Sequence, residues 1–232
     1  MNTRLRQILY PPPEVEKFDT NLRYTDILFG FVIKEIFIRL QNWPILADHI
    51  RAHLVVGFLL VLGSWVGYRR SRNRSHYQVK FFNLPLARFI CDQIMLILYF
   101  RIAVLTPADG TKPPTAEELV AHTTELLAVV FFVYLVWDLL GIVMDKATVV
   151  NLDGSRVPRY PEIDEKEKTM KIGVKKVADI DGMSITLFTL ICMTVLWAGS
   201  IHPNPSYVWA SLFLLLYRSA KEIRTSWRTP AQ

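Results

Sequence analysis

The sequence predicts an all-α fold: a polytopic membrane bundle of about six transmembrane helices, with the N and C termini both cytoplasmic. Three observations predict it. Apolar runs approaching the roughly 20 residues that cross a bilayer recur along the chain. The loops between them alternate sharply in basic charge. The ionisable residues inside the runs sit at spacings that let helices pair them. The apolar fraction of 51% decides little by itself, because soluble domains lie near it. The clustering of those residues excludes a disordered chain, a small disulfide scaffold and a single soluble globule.

The six expected spans are about 24–43, 53–68, 84–105, 119–144, 183–201 and 206–219. The third, fourth and fifth are the clearest. The second has a short but almost wholly apolar centre, Leu54 to Val66. The sixth is shorter still and spans if Arg218 snorkels at its end. The first carries Lys34 and Glu35 at its middle. With the N-terminus inside, segments 1–23, 69–83, 145–182 and 218–232 hold 21 of the 27 Lys and Arg residues. The outside segments hold two, Arg51 and Lys112. Such a bias is the positive-inside pattern, and omitting the first or last span would put a basic tail outside. The net charge of +6 therefore reflects topology and contact with anionic lipid heads, rather than a face for nucleic acid.

In chain order, segment 1–23 contains Arg4, Arg6 and three consecutive prolines, Pro11 to Pro13, and no apolar core region, so it is not a cleavable signal. The first span would act as its own insertion signal. Region 24–144 holds the first four spans with the basic loop 69–83. In that loop Arg69, Arg70, Arg72 and Arg74 are candidates for lipid or phosphate contact. Pro107, Pro113 and Pro114 make the next outer loop irregular, and Thr115 with Glu118 forms a capping box that opens the fourth helix. Loop 145–182 is the sizeable cytoplasmic element. Thr148 to Val157 surrounds an Asp153-Gly154 turn and reads as a hairpin; in Glu162 to Asp181, Met170, Val174 and Val177 fit one face of an amphipathic surface helix, the preferred reading, while Met170, Ile172 and Val174 equally fit a strand. Segment 183–219 holds the last two spans, and 220–232 is a basic cytoplasmic tail. Cys91 and Cys192 each lie in an apolar run and read as small buried residues.

A charged side chain at the bilayer centre costs at least about 2.5–3.5 kcal/mol on insertion scales, so each needs a partner or water. Asp26, Lys34, Glu35, Arg39, Arg88, Asp92, Arg101, Glu125 and Asp138 all fall within the spans. Arg88 and Asp92 are four apart, as are Glu35 and Arg39 and also Tyr134 and Asp138, so each pair shares a helical face. Arg101 and Glu125 lie at matching depth on consecutive antiparallel helices. Glu35, Arg39, Arg88, Asp92, Arg101, Glu125 and Asp138 thus form a candidate intramembrane charge network. It serves either to lock the bundle or to line a hydrated path. Asp26, Gly30 and Lys34 follow at helical spacing and are candidates to line such a path, with Gly30 permitting close helix approach.

The stretch Tyr24-Thr25-Asp26-Ile27-Leu28-Phe29-Gly30-Phe31 resembles the first-helix signature of the six-helix potassium-channel family that includes the endolysosomal potassium channel and its bacterial relatives. That signature has an aromatic, a Ser and an Asp, followed by small and apolar residues. The six spans and the second-helix exit Trp65, Gly67, Tyr68, Arg69 are also similar, and the likeness covers about 45 residues. The family's Arg before the motif is here Thr20, and Lys34 and Glu35 interrupt a helix that is apolar in the family. The resemblance implies an oligomeric, channel-like assembly with the first helix near its axis. A ring of Lys34 there would repel cations, and no potassium-filter sequence of the TVGYG kind is present.

The sequence contains no P-loop, GxGxxG, HExxH or GxSxG, and no Cys/His cluster, so no cofactor, metal or catalytic residue is expected and the chain does not read as an enzyme. His53 and His122 read as interfacial residues at span ends. The expected function is an integral membrane protein that oligomerises and forms or gates an ion pathway. The alternative is a non-conducting membrane anchor or effector subunit, as in a stress or defence system, binding a soluble cytoplasmic partner through 145–182. Membrane lipids and further copies of the chain are the expected partners, nucleic acid is not, and the expected location is the cell membrane, a bacterial inner membrane.

Overall fold

Apolar periodicity and turn chemistry divide the chain into helices, and the computed structural model describes residues 20–74, 84–107, 114–149, 165–200 and 203–226. Among these residues the fold is all-α, with six long helices and no strand: α1 Thr20–Leu40, α2 Asp48–Arg74, α3 Leu84–Val104, α4 Ala116–Val149, α5 Glu165–Ala198 and α6 Pro203–Ser226. A single 3-10 turn, Trp43–Ile45, joins α1 to α2, with Pro44 at its start where a missing N–H costs nothing. The capping box of α4 forms as its sequence requires. Glu118 N–H donates to Thr115 Oγ1 at 3.3 Å, and Thr115 N–H donates to Glu118 Oε2 at 3.0 Å.

Two expectations change. Thr148 and Val149, taken as the start of a hairpin, are the last residues of α4; the remainder of that hairpin lies outside the described residues. The amphipathic helix expected near 162–181 and the fifth span are one helix: no Pro follows Pro161 before the end of the span, and the helix runs through Gly173 and Asp181-Gly182. At about 1.5 Å per residue, its 34 residues extend about 51 Å. Its apolar stretch, Gly182–Ala198, occupies only the second half.

The helices close into a ring in the order α1, α2, α6, α5, α4, α3, with α3 returning to α1. The α4–α5 contact is the most extensive, and α2 also reaches across the ring to α3 and α4. The core is filled by Val56, Leu60 and Val61 from α2, Tyr99 and Ile102 from α3, and Leu127, Val130 and Phe131 from α4, all nearly inaccessible.

The exterior is apolar as well. Ile27 and Phe31 on α1, Ile94 and Ile97 on α3, and Phe132 on α4 all face outward. Phe188 and Val195 on α5 and Val208 and Leu216 on α6 do the same. Length and composition make two helices able to cross a membrane, Asp48–Arg69 in α2 and Ala116–Val143 in α4. α3, expected among the clearest spans, carries Arg88, Asp92 and Arg101 within 21 residues, and the apolar part of α5 is short. Cys91 and Cys192 are free thiols, the first buried and the second partly so.

Candidate functional site

The polar side chains inside the bundle gather in two layers. One lies at the basic end, where α1 begins, and the other at the opposite end, around the α1–α2 turn.

At the basic end, α1 is tied to α2 through Asp26. Its Oδ1 accepts from Trp65 Nε1 at 2.8 Å and its Oδ2 from Arg69 Nη2 at 3.0 Å. α3 is tied to α4 through Trp137, whose Nε1 donates to Asp92 Oδ1 at 2.9 Å while its ring lies 3.6 Å beneath the Arg88 guanidinium. That guanidinium is cradled by Gly141, where an added Cβ would meet it at 3.7 Å. Next to Trp137, the Asp138 carboxylate joins three helices. It accepts from Thr186 Oγ1 of α5 at 2.6 Å and from Lys221 Nζ of α6 at 2.8 Å.

α6 lies against α2 through a second glycine cradle. Arg218 crosses Gly63 and Gly67, with its Nη1 3.3 Å from the position of a Gly67 Cβ, and it pairs with Glu222 at 2.5 Å. One turn deeper, Tyr99 donates to Ser64 Oγ at 2.9 Å and shares a 2.6 Å bond with the Tyr134 hydroxyl, which also bonds Ser64. Tyr134, expected to serve Asp138, is thus engaged in this three-hydroxyl cluster.

The opposite layer is held mostly by near neighbours and carbonyls. Arg39 Nη1 donates to Glu35 Oε2 at 2.7 Å, as the spacing of four predicts, and Arg39 Nε donates to the Thr106 carbonyl at 2.6 Å. His53, expected at an interface, is fully buried. Its Nε2 donates to the Ile102 carbonyl at 2.8 Å and its Nδ1 shares a 2.9 Å hydrogen bond with Thr123 Oγ1. Between His53 and Ser64 on α2 lie about 16 Å of helix lined by the apolar core residues.

The three path-lining candidates do not share a surface. Asp26 turns inward to α2, whereas Gly30 and Lys34 are exposed on the outer face of α1 beside Ile27 and Phe31. An added Cβ at Gly30 would meet nothing within 4 Å. Arg101 and Glu125 do not join: Arg101 is exposed on α3, and Glu125 lies 3.8 Å from His122 on its own helix. Of the basic-loop candidates, Arg69 belongs to the Asp26 cluster, and the side chains of Arg70, Arg72 and Arg74 lie outside the described part.

Sequence reading missed Trp65, Trp137, Thr186 and Lys221. The signal available was an indole N–H inside an apolar run, a donor that must find an acceptor when buried. Among the described residues no group of three or more His, Cys, Asp or Glu is placed to hold a metal. The arrangement binds helices together. Comparison of the chain with protein-family models, with curated proteins and with solved structures finds no match to any of them.

Proposed function

We propose that this chain is a six-span membrane protein with both termini in the cytoplasm. In this reading it acts as a non-conducting anchor that holds a soluble partner at the cytoplasmic face. The membrane reading draws on the outward-facing large apolar side chains of α1, α3, α4, α5 and α6, since soluble monomers rarely expose apolar surface on all sides. The basic end then faces the cytoplasm, as the charge distribution between loops requires.

One observation carries the anchor reading: the interior charges are bound within the chain itself. Asp26, Arg39, Asp92 and Asp138 each meet partners from their own molecule, and a packed apolar layer separates the two polar layers. A conducting interior would instead need hydrated, unlocked groups along its length. The unbroken α5 suits this role, because its charged first half continues rigidly from an apolar second half.

A second reading rests on Gly30 and Lys34. Both are open on the outside of α1, where further copies would bring Lys34 side chains around a shared axis and form or gate an ion pathway. Planar-bilayer recording of purified wild type and Lys34→Ala separates the two. Silence in both, with the fold intact, supports the anchor; conductance that appears or rises in Lys34→Ala overturns it in favour of the pathway. Topology is tested by cysteine labelling: position 112 should react from outside and position 72 only after permeabilisation. The reverse pattern sinks the orientation.

A further inference from the structure

The α1–α2 turn holds a feature that neither reading uses. A groove of about 300 Å³ lies between the end of α1 and the first turns of α2, lined by Leu40, Trp43, Leu54, Val55 and Phe58. Its flank is open, because Trp43 and Val55 are exposed. Its floor is fixed by Phe58, which packs edge-on against Phe37 with ring centroids 5.8 Å apart. Arg51, one turn before Val55 on the same helix, is not itself part of the lining, and its guanidinium stands 5.7 Å from the centre of the Trp43 ring.

Arg51 is incompletely satisfied where it sits. Nη2 donates to the Pro44 carbonyl at 3.2 Å, and Nη1 lies 3.4 Å from Asp48, an almost fully exposed carboxylate that competes weakly. The buried Nε has no hydrogen-bond partner. A guanidinium carries five N–H donors in a planar fork suited to phosphate, so donors remain for a ligand. Arg51 is also one of only two basic residues in the loops assigned to the outside, against the charge bias of the whole chain.

We propose that this groove is a site for a phospholipid of the outer leaflet. Arg51 receives the phosphate, Trp43 sits at the headgroup boundary, and one acyl chain follows the groove past Val55 to Phe58. The seven residues from Arg51 to Phe58 cover about 10 Å of helix, which matches a headgroup above and the first part of a chain below. The volume fits a small ligand and not a folded partner. The proposal rests on the membrane reading given above.

The test is native mass spectrometry of the detergent-purified chain with three additives: dioleoyl phosphatidylglycerol, dioleoylglycerol and glycerol 3-phosphate. Wild type should retain one phosphatidylglycerol per chain, and the phosphate-free lipid and the chain-free phosphate should bind far more weakly. Arg51→Gln, which removes the phosphate contact, and Val55→Trp, which fills the groove, should each weaken retention about tenfold, the effect of one lost charge-assisted bond or of lost chain burial. Equal binding of dioleoylglycerol, or equal retention by wild type and by both folded variants, overturns the proposal. The wild-type comparison shows whether phosphate and acyl chains are both needed, and the two variants, which remove different parts of the site, place the lipid in this groove and not at the basic loop, so one that fails to fold leaves the other to decide. Recovery of the chain in the aqueous supernatant after lysis would instead remove the membrane reading, and this site with it.

Discussion

Two buried charges, one from each polar layer, find their counter-charges in different ways. At the α1–α2 turn, the counter-charge of Arg39 is Glu35, one turn earlier on its own helix, and its tie to the rest of the fold is the neutral Thr106 carbonyl. At the basic end, Asp138 is held from two other helices, by Thr186 and Lys221, 48 and 83 residues away in sequence. A pair within one helix stabilises that helix and says little about its neighbours. A carboxylate shared by three helices fixes how those helices sit against one another. Charges of similar type in similar runs therefore do different structural work, depending on where their partners originate.

The sharpest way to break this contrast is Asp138→Ala. Asp138 and Lys221 are both largely buried, at 11% and 14% exposure, and truncation removes the carboxylate that the ammonium meets at 2.8 Å and that Thr186 also bonds. The loss should be about 3–5 kcal/mol, read from thermal or denaturant unfolding in detergent. Lys221→Ala should cost less, and the double variant should lose much less than the two losses combined, with a coupling of about 0.5–3 kcal/mol. Additive losses would mean that the node does not act as a unit.

Trp137→Phe probes the same end more gently. Phenylalanine keeps a ring beneath Arg88 but removes the N–H that reaches Asp92 at 2.9 Å. Loss of one hydrogen bond to a charged acceptor should cost about 1.5–3 kcal/mol. Trp65→Phe should cost less than this, because Asp26 is partly exposed and water can replace the lost donor, whereas Asp92 is buried. Equal losses would show that the difference in exposure between Asp26 and Asp92 does not matter. Glu35→Gln, at the other layer, should cost about 0.5–1 kcal/mol, since Arg39 retains the Glu35 and Thr106 carbonyls. A larger loss there than at Trp137 would invert the comparison.

This contrast also explains what the sequence made legible. The helices were readable because apolar runs and turn residues are local signals, as were the capping box at Thr115 and the Glu35–Arg39 pair at a spacing of four. The partners of Asp26 and Asp138 were not, because they depend on which helices close the ring next to one another. Lys221 read as part of a basic tail, but α6 continues to Ser226 and carries it back to the α4 carboxylate. Depth alone suggested Arg101 with Glu125, but depth ignores the direction in which a side chain leaves its helix. Asp26, Gly30 and Lys34 share a spacing, yet Asp26 follows the donors on α2 while the other two stay outside.

The smallest expected effect belongs to Gly30, and it bears most directly on the choice between anchor and pathway. A methyl group added there meets nothing within 4 Å in the single chain, so Gly30→Ala should change no contact. Alanine in a helix interior is favoured over glycine by about 0.5–1 kcal/mol, so the variant should be slightly more stable than wild type. Its mass in detergent, measured by light scattering, should match the wild type, and Gly30→Leu should leave that mass unchanged as well. If a second copy packs against α1 at this notch, the outcome reverses. The added atoms then strike a neighbouring helix, a larger assembly breaks into single chains, and stability falls where helix propensity alone would raise it. Lys34, one turn further along the same open face, would in that case stand at an interface between copies, and the pathway reading would displace the anchor.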